Sequence, residues 1–208
     1  MQTNTWRDRL KWIAKRYLRY NPDGRFRIRM RSELPSLLCA HGLTGEGAEI
    51  GVQEGVFSAC LLSGWSGRLY SIDAWQAFPA DTYEDVSNVN QARQNQRHEA
   101  ACQRLAAFGD RSIVLRLTST QAAERFQEGQ LDFVYLDARH DYEAVAEDIR
   151  LWRPKIHEGG FLMGHDYIDG TLPEGVFGVK RAVDDFVRRE GLRLAVTRER
   201  WPSWCVPL

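Results

Sequence analysis

Two short clusters in the sequence pair a carboxylate with an imidazole. Leu136-Asp137-Ala138-Arg139-His140 closes one apolar run, and Gly164-His165-Asp166-Tyr167 closes another. Ends of neighbouring strands lie about 5 Å apart, so Asp137 and Asp166 can share one cation. Hard oxygen ligands in that arrangement suit Mg²⁺, which keeps waters for a substrate. His165 is a third candidate ligand, and its imidazole favours softer ions such as Mn²⁺. An imidazole titrates near neutrality, which makes His140 the candidate general base, with Asp137 beside it in the catalytic group. The plainer roles are orientation of Asp137 by His140 and a supporting hydrogen bond from His165.

A glycine-dense turn, Gly47-Ala-Glu-Ile-Gly-Val-Gln-Glu-Gly55, lies upstream. Its G-x-x-x-G-x-x-x-G spacing matches neither G-x-G-x-x-G nor the phosphate loop ending in Gly-Lys-Ser/Thr, so a pyrophosphate cradle is not indicated. A second strand follows and ends in Asp73, where a carboxylate accepts hydrogen bonds from both ribose hydroxyls. The glycine turn then faces the amino-acid half of S-adenosylmethionine, a cofactor with no pyrophosphate. Candidate cofactor contacts are Glu49, Gly51, Val52 and Gly55 in the turn, Asp73, Ala74 and Trp75 after the second strand, and Asp137. In Thr118-Ser-Thr-Gln121, Ser119 and its neighbours either read the adenine edge or cap the next helix.

These residues need a scaffold, and the pattern supplies one. Strand signals at 48–52, 68–73, 112–117, 131–137 and 160–164 alternate with helical stretches at 57–63, 91–107, 120–127, 141–152 and 178–190. A short helix at 32–41 precedes them. Such alternation predicts βαβ units and a parallel sheet covered on both faces. The tail, 192–197 and 204–206, gives two strands whose link is too short for a helical crossover, so that pair is antiparallel. Residues 74–100 exceed a minimal link and read as a lid or substrate loop.

Glu49-Ile-Gly-Val-Gln-Glu-Gly55, Leu69-Tyr-Ser-Ile-Asp-Ala-Trp75, and Asp132-Phe-Val-Tyr-Leu-Asp-Ala-Arg-His-Asp-Tyr142 running on to Gly159-Gly-Phe-Leu-Met-Gly-His-Asp-Tyr167 together carry a family resemblance. The chain resembles the class I S-adenosylmethionine-dependent methyltransferases, and among them the macrocin-type sugar O-methyltransferases. The resemblance implies a Rossmann-like, doubly wound α/β fold with a seven-stranded sheet, mostly parallel with a reversed last strand. It also implies a divalent metal on the strand-four aspartate and an acidic pair after strand five, with a base three residues beyond that aspartate. His165 replaces the first member of the acidic pair, and His140 falls at the base position. The implied activity is methyl transfer to a hydroxyl of a sugar or glycosylated natural product. The competing expectations are an iron-dependent hydroxylase and a cofactor-binding module without turnover.

The chain has 208 residues, 43% hydrophobic and 27% charged, the composition of a soluble globular domain. Lys plus Arg (28) balance Asp plus Glu (28), and nothing points to nucleic acid. Residues 1–31 differ, with ten Lys/Arg against two Asp. They read as a basic amphipathic extension ahead of a catalytic domain at 32–208, suited to a dimer contact, an anionic acceptor or weak contact with a membrane surface. The apolar stripe at 6–20 points to a homo-oligomer. Four scattered cysteines suggest free thiols. No apolar run reaches the ~20 residues of a membrane span, nor does the N-terminus resemble a secretory signal. The expected location is cytoplasmic, and the expected partner a small-molecule or glycan acceptor.

Overall fold

The computed structural model describes residues 28–79 and 85–208. The elements are α1 (Leu34–Ala40), β1 (Glu46–Ile50), α2 (Val56–Gly64), β2 (Arg68–Asp73), α3 (Gln91–Leu105), β3 (Ser112–Arg116), α4 (Ser119–Ala123), β4 (Leu131–Leu136), α5 (Tyr142–Trp152), β5 (Ile156–Gly164), β6 (Gly170–Leu172), β7 (Gly175–Phe177), α6 (Val179–Glu190), β8 (Ala195–Val196) and β9 (Trp204–Pro207). The expectations that lay on residues 1–27, among them the apolar stripe, fall outside the described residues.

Seven strands form one sheet in the order β3-β2-β1-β4-β5-β9-β8. β1 pairs in parallel with β2 and β4, β2 with β3, and β4 with β5. β9 runs antiparallel to both β5 and β8. The predicted seven-stranded sheet with one reversed strand near the end is the sheet observed. Strand order changes direction between β1 and β4, which opens a crevice at their carboxyl ends.

Strand alternation explains why helices cover both faces. Phe133 and Tyr135 of β4 join Leu34, Leu38, Phe57, Leu61 and Leu105 in one buried cluster, under α1, α2 and α3. Val134 and Leu136, one residue out of phase, join Val145, Ile149, Trp152, Val183 and Phe186 in the other, under α5 and α6. Caps fix the helix starts. Asn90 accepts from Arg93 N at 3.0 Å and Asp141 from Ala144 N at 3.0 Å.

α3 begins at Gln91, where the helical stretch at 91–107 was expected to start, so of 74–100 the long connection takes only the part up to residue 90. The Asn90 cap decides this start. One feature departs from the sequence pattern. After β5 the chain forms a separate two-stranded hairpin, β6–β7, which had no sequence signature. Its strands are three residues each, too short for alternation to register.

Candidate active site

The glycine turn follows β1 directly. Gly51 sits at φ +89°, and a Cβ there would lie 2.0 Å from the carbonyl oxygen of Asp137. Only glycine lets β1 exit this close to the end of β4. Asp73 then holds the turn in place. Its Oδ2 accepts from Val52 N and Gln53 N, each at 2.9 Å, and its Oδ1 accepts from Trp75 N at 2.8 Å. A carboxylate has about four acceptor positions, so room for a ribose hydroxyl remains.

Two expected cofactor contacts stand elsewhere. Trp75 is fully buried behind the turn, where its indole Nε1 donates to Gln53 O at 2.8 Å. A left-handed Trp75 (φ +42°) turns the ring inward, so it shapes the turn from behind. Gly55, at φ +73°, starts α2. A Cβ there would meet Ala101 and Leu105 of α3 at 3.3 Å, so its role is helix packing.

A cavity of about 720 Å³ opens over the turn. Glu49, Gly51, Val52, Asp73, Ala74 and Ser119 line it together with Asp137, His140, His165 and Asp166. Glu49 is 1% exposed and its Oε2 accepts the Ser58 hydroxyl. Burial drives its carboxyl up to about 8, although the Ser58 bond opposes this. At the β3–α4 corner, Thr118 and Gln121 form a capping box, so these two cap the helix as the plainer reading held. Ser119 Oγ donates to Asp148 and accepts from Trp152 Nε1 at 2.8 Å. Burial raises the Asp148 carboxyl to about 6. A buried acid on the Val145–Ile149–Trp152 face of α5 was a readable sign that this face meets more than core.

The acid–imidazole clusters converge on this cavity. His140 Nδ1 lies 2.7 Å from Asp85 Oδ2, and Nε2 lies 3.2 Å from Asp166 Oδ2. His165 Nδ1 is 2.9 Å from Asp166 Oδ1 and 3.7 Å from Asp137 Oδ1. Burial disfavours a charged His140, but the bonds to Asp166 and Asp85 outweigh it and push its pKa up to about 10. The expectation of titration near neutrality therefore does not describe His140 while both carboxylates hold it. Burial and the neighbouring Asp166 raise Asp137, against the pull of His165. Asp166 is pushed low because the bonds from both imidazoles exceed the effect of burial. Asp166 also occupies a left-handed φ of +50°, uncommon for a non-glycine residue and frequent at functional sites.

Among the described residues, Asp137, His140 and Asp166 present ligand atoms within 4.8 Å of one another. The expected metal set had His165 in place of His140. Asp85 turns the His140 ring toward Asp166, a contact that spans 55 positions and that spacing could not reveal. The two carboxylates are oxygen donors that fit Mg²⁺ or Mn²⁺, with the His140 imidazole standing beside them. The ring of Phe177, in the hairpin, stacks on His140 at 4.9 Å and 17°, and Trp201 follows Phe177 at 5.7 Å.

A family profile described as a methyltransferase domain matches residues 48–167, more than half of the chain. The chain belongs to this methyltransferase-domain family and is an S-adenosylmethionine-dependent methyltransferase. The curated proteins contain no match to it. Solved structures with similar folds include an O-methyltransferase from Bacillus cereus in complex with SAH, 16% identical with TM-score 0.60, covering 100% of this chain and 93% of that one. A methyltransferase from Geobacter sulfurreducens is 14% identical with TM-score 0.56, covering 100% and 90%. The cofactor-bound Rv0187 from MTB is 17% identical with TM-score 0.60, covering 97% and 88%. At these identities the likeness is one of fold.

Proposed function

We propose that the protein transfers the methyl group of S-adenosylmethionine to a hydroxyl oxygen, and that the acceptor is a sugar or a glycosylated molecule. The observation that carries this reading is one cavity joining the Asp73-braced glycine turn to the Asp137–His140–Asp166 cluster. The sulfonium provides its own leaving group, so the protein has to align the acceptor oxygen with the methyl and receive its proton.

Asp73 takes one ribose hydroxyl on its remaining acceptor position, the Gly51 turn lies along the methionyl group, and Ser119 with Asp148 lies beside the base. Asp137 and Asp166 would hold a divalent cation, with His165 against Asp166. When bound, that cation acidifies the acceptor hydroxyl and neutralises the carboxylates that now retain the proton of His140. His140 is then the base, with Nδ1–H donating to Asp85 and Nε2 turned to the acceptor. The sugar assignment draws on the walls near His140. Trp201, backed by the buried Phe177, offers a flat apolar face to the C–H side of a sugar ring, and the surrounding carboxylates accept from its hydroxyls.

Calorimetric titration with S-adenosylhomocysteine, followed by turnover over a panel of sugar acceptors with and without EDTA, tests this. Micromolar binding that Asp73→Ala removes is expected, as is turnover that EDTA stops and Mg²⁺ or Mn²⁺ restores. Turnover indifferent to EDTA would discard the metal, and methylation confined to nitrogen acceptors would discard the oxygen assignment.

A further inference from the structure

Arg31 places a cation in the cavity wall, beside Glu49, Gly51, Phe57 and Asp137. Its guanidinium carbon stands 4.9 Å over the Phe57 ring. Its closest approach to a carboxylate is 3.8 Å, to Asp137 Oδ2, which is too long for a hydrogen bond. Beside the guanidinium stands the neutral Tyr135 hydroxyl, whereas the other two arginines lining the cavity are held at shorter range by a carbonyl and a carboxylate. Arg97 donates to Ser87 O at 2.7 Å, and Arg139 reaches Asp141 at 2.8 Å.

The segment bearing Arg31 is fastened in position. Arg31 N donates to Glu199 Oε2 at 2.8 Å, and Arg198 N donates to Arg29 O at 2.9 Å. Ile28 is 4% exposed and packs with the α1–α2 core. Residues 28–31 thus lie on the catalytic domain, although sequence pattern put them in the extension before it.

The methionyl group of the cofactor is a zwitterion and needs a partner for each charge. The turn itself has few donors left for the carboxylate. Val52 N and Gln53 N bond to Asp73, Gly51 N bonds to Ile72 O, and Gly55 N bonds to Val52 O. We infer that Arg31 binds the carboxylate of the cofactor's methionyl group through charge-assisted hydrogen bonds, while Glu49 faces its ammonium group. A planar guanidinium suits a carboxylate because its donors come in forked pairs. Glu49, across the turn, supplies the opposite charge, since a cationic ammonium group beside it favours the carboxylate form and its proton passes to water.

This assignment rests on the cofactor reading above, and a pair of ligands separates the two. S-adenosylhomocysteine and its decarboxylated analogue, 5′-deoxy-5′-(3-aminopropylthio)adenosine, differ only in the carboxylate. The full chain, Arg31→Gln and Arg31→Lys are titrated with each, and thermal unfolding establishes that the variants are folded. Arg31→Gln is expected to weaken S-adenosylhomocysteine by about 10- to 100-fold and to leave the analogue within a few-fold, with Arg31→Lys between. In steady state, KM for S-adenosylmethionine rises and kcat changes little. Equal weakening of both ligands, or of neither, overturns the role of Arg31 and leaves the cofactor reading standing. A wild-type protein that binds neither ligand overturns both.

Discussion

Glu49 shows how a single buried side chain links stability to ligand state. Its carboxyl ionises near 4.5 in an open chain and at about 8 in the folded one. Between those values the folded protein binds the extra proton, so stability is highest at the acid end and falls as pH rises through the window. Glu49→Gln keeps the bond from Ser58 in reach and removes this loss. Its melting temperature should exceed that of the wild type by more at pH 8 than at pH 5, at about 2–4 °C per kcal/mol regained. An equal difference at both values would show that Glu49 is ionised throughout. His140 belongs to the same scale. His140→Ala should lower turnover by ~10²–10⁴-fold, the range for a positioned general base, and leave affinity for S-adenosylhomocysteine unchanged. Turnover equal to wild type would remove His140 from the mechanism.

The β6–β7 hairpin is the element that joins the long connection to the chemistry. Val86 N donates to Glu174 O at 3.0 Å, and Asp85 bridges to Gly175. Gly178 N, just past the hairpin, donates to His140 O at 2.7 Å. The same unit therefore sets the backbone of His140, the stack on its ring, and the carboxylate at its Nδ1. Val86 and Val176 remain exposed, at 63% and 48%, on this rim. Val86→Pro deletes the donor to Glu174 and releases the connection from the hairpin. The acceptor KM should rise about tenfold, the size of one lost hydrogen bond, while cofactor affinity stays. A parallel loss of S-adenosylhomocysteine binding would place the connection over the cofactor instead.

At the scale of the whole molecule, the cleft proposed for the cofactor spans the ends of β1, β2 and β4, the middle of the sheet. A ligand there ties together both core layers and binds only the folded form. Saturation at 100 times Kd adds about 2.7 kcal/mol, so S-adenosylhomocysteine should raise the melting temperature by about 5–11 °C for a chain of this size. A shift of one or two degrees at that saturation would mean that the cleft persists in a partly unfolded state.

Much of this architecture is local in origin and therefore visible in the sequence. The β4 run from Leu131 to Leu136 is buried on both faces and reads as an apolar stretch interrupted at Asp132 alone. Gly51 is required by its own backbone, and Asp73, Asp137 and Asp166 end their strands where chemistry is placed in such sheets. The partners of those residues are not local. Asp85 finds His140 across 55 positions, Arg31 reaches Asp137 from a segment with no motif, and Trp75 turns away from the cleft that its position beside Asp73 suggested. Periodicity reports which face of an element is buried, so the sequence by itself determined the sheet, its crevice and the acids at its rim. Charge state and ligand identity depend on distances between elements, and those only the packed chain decides: His140 is a free imidazole by composition, and folding sets it between two carboxylates that favour its charged form.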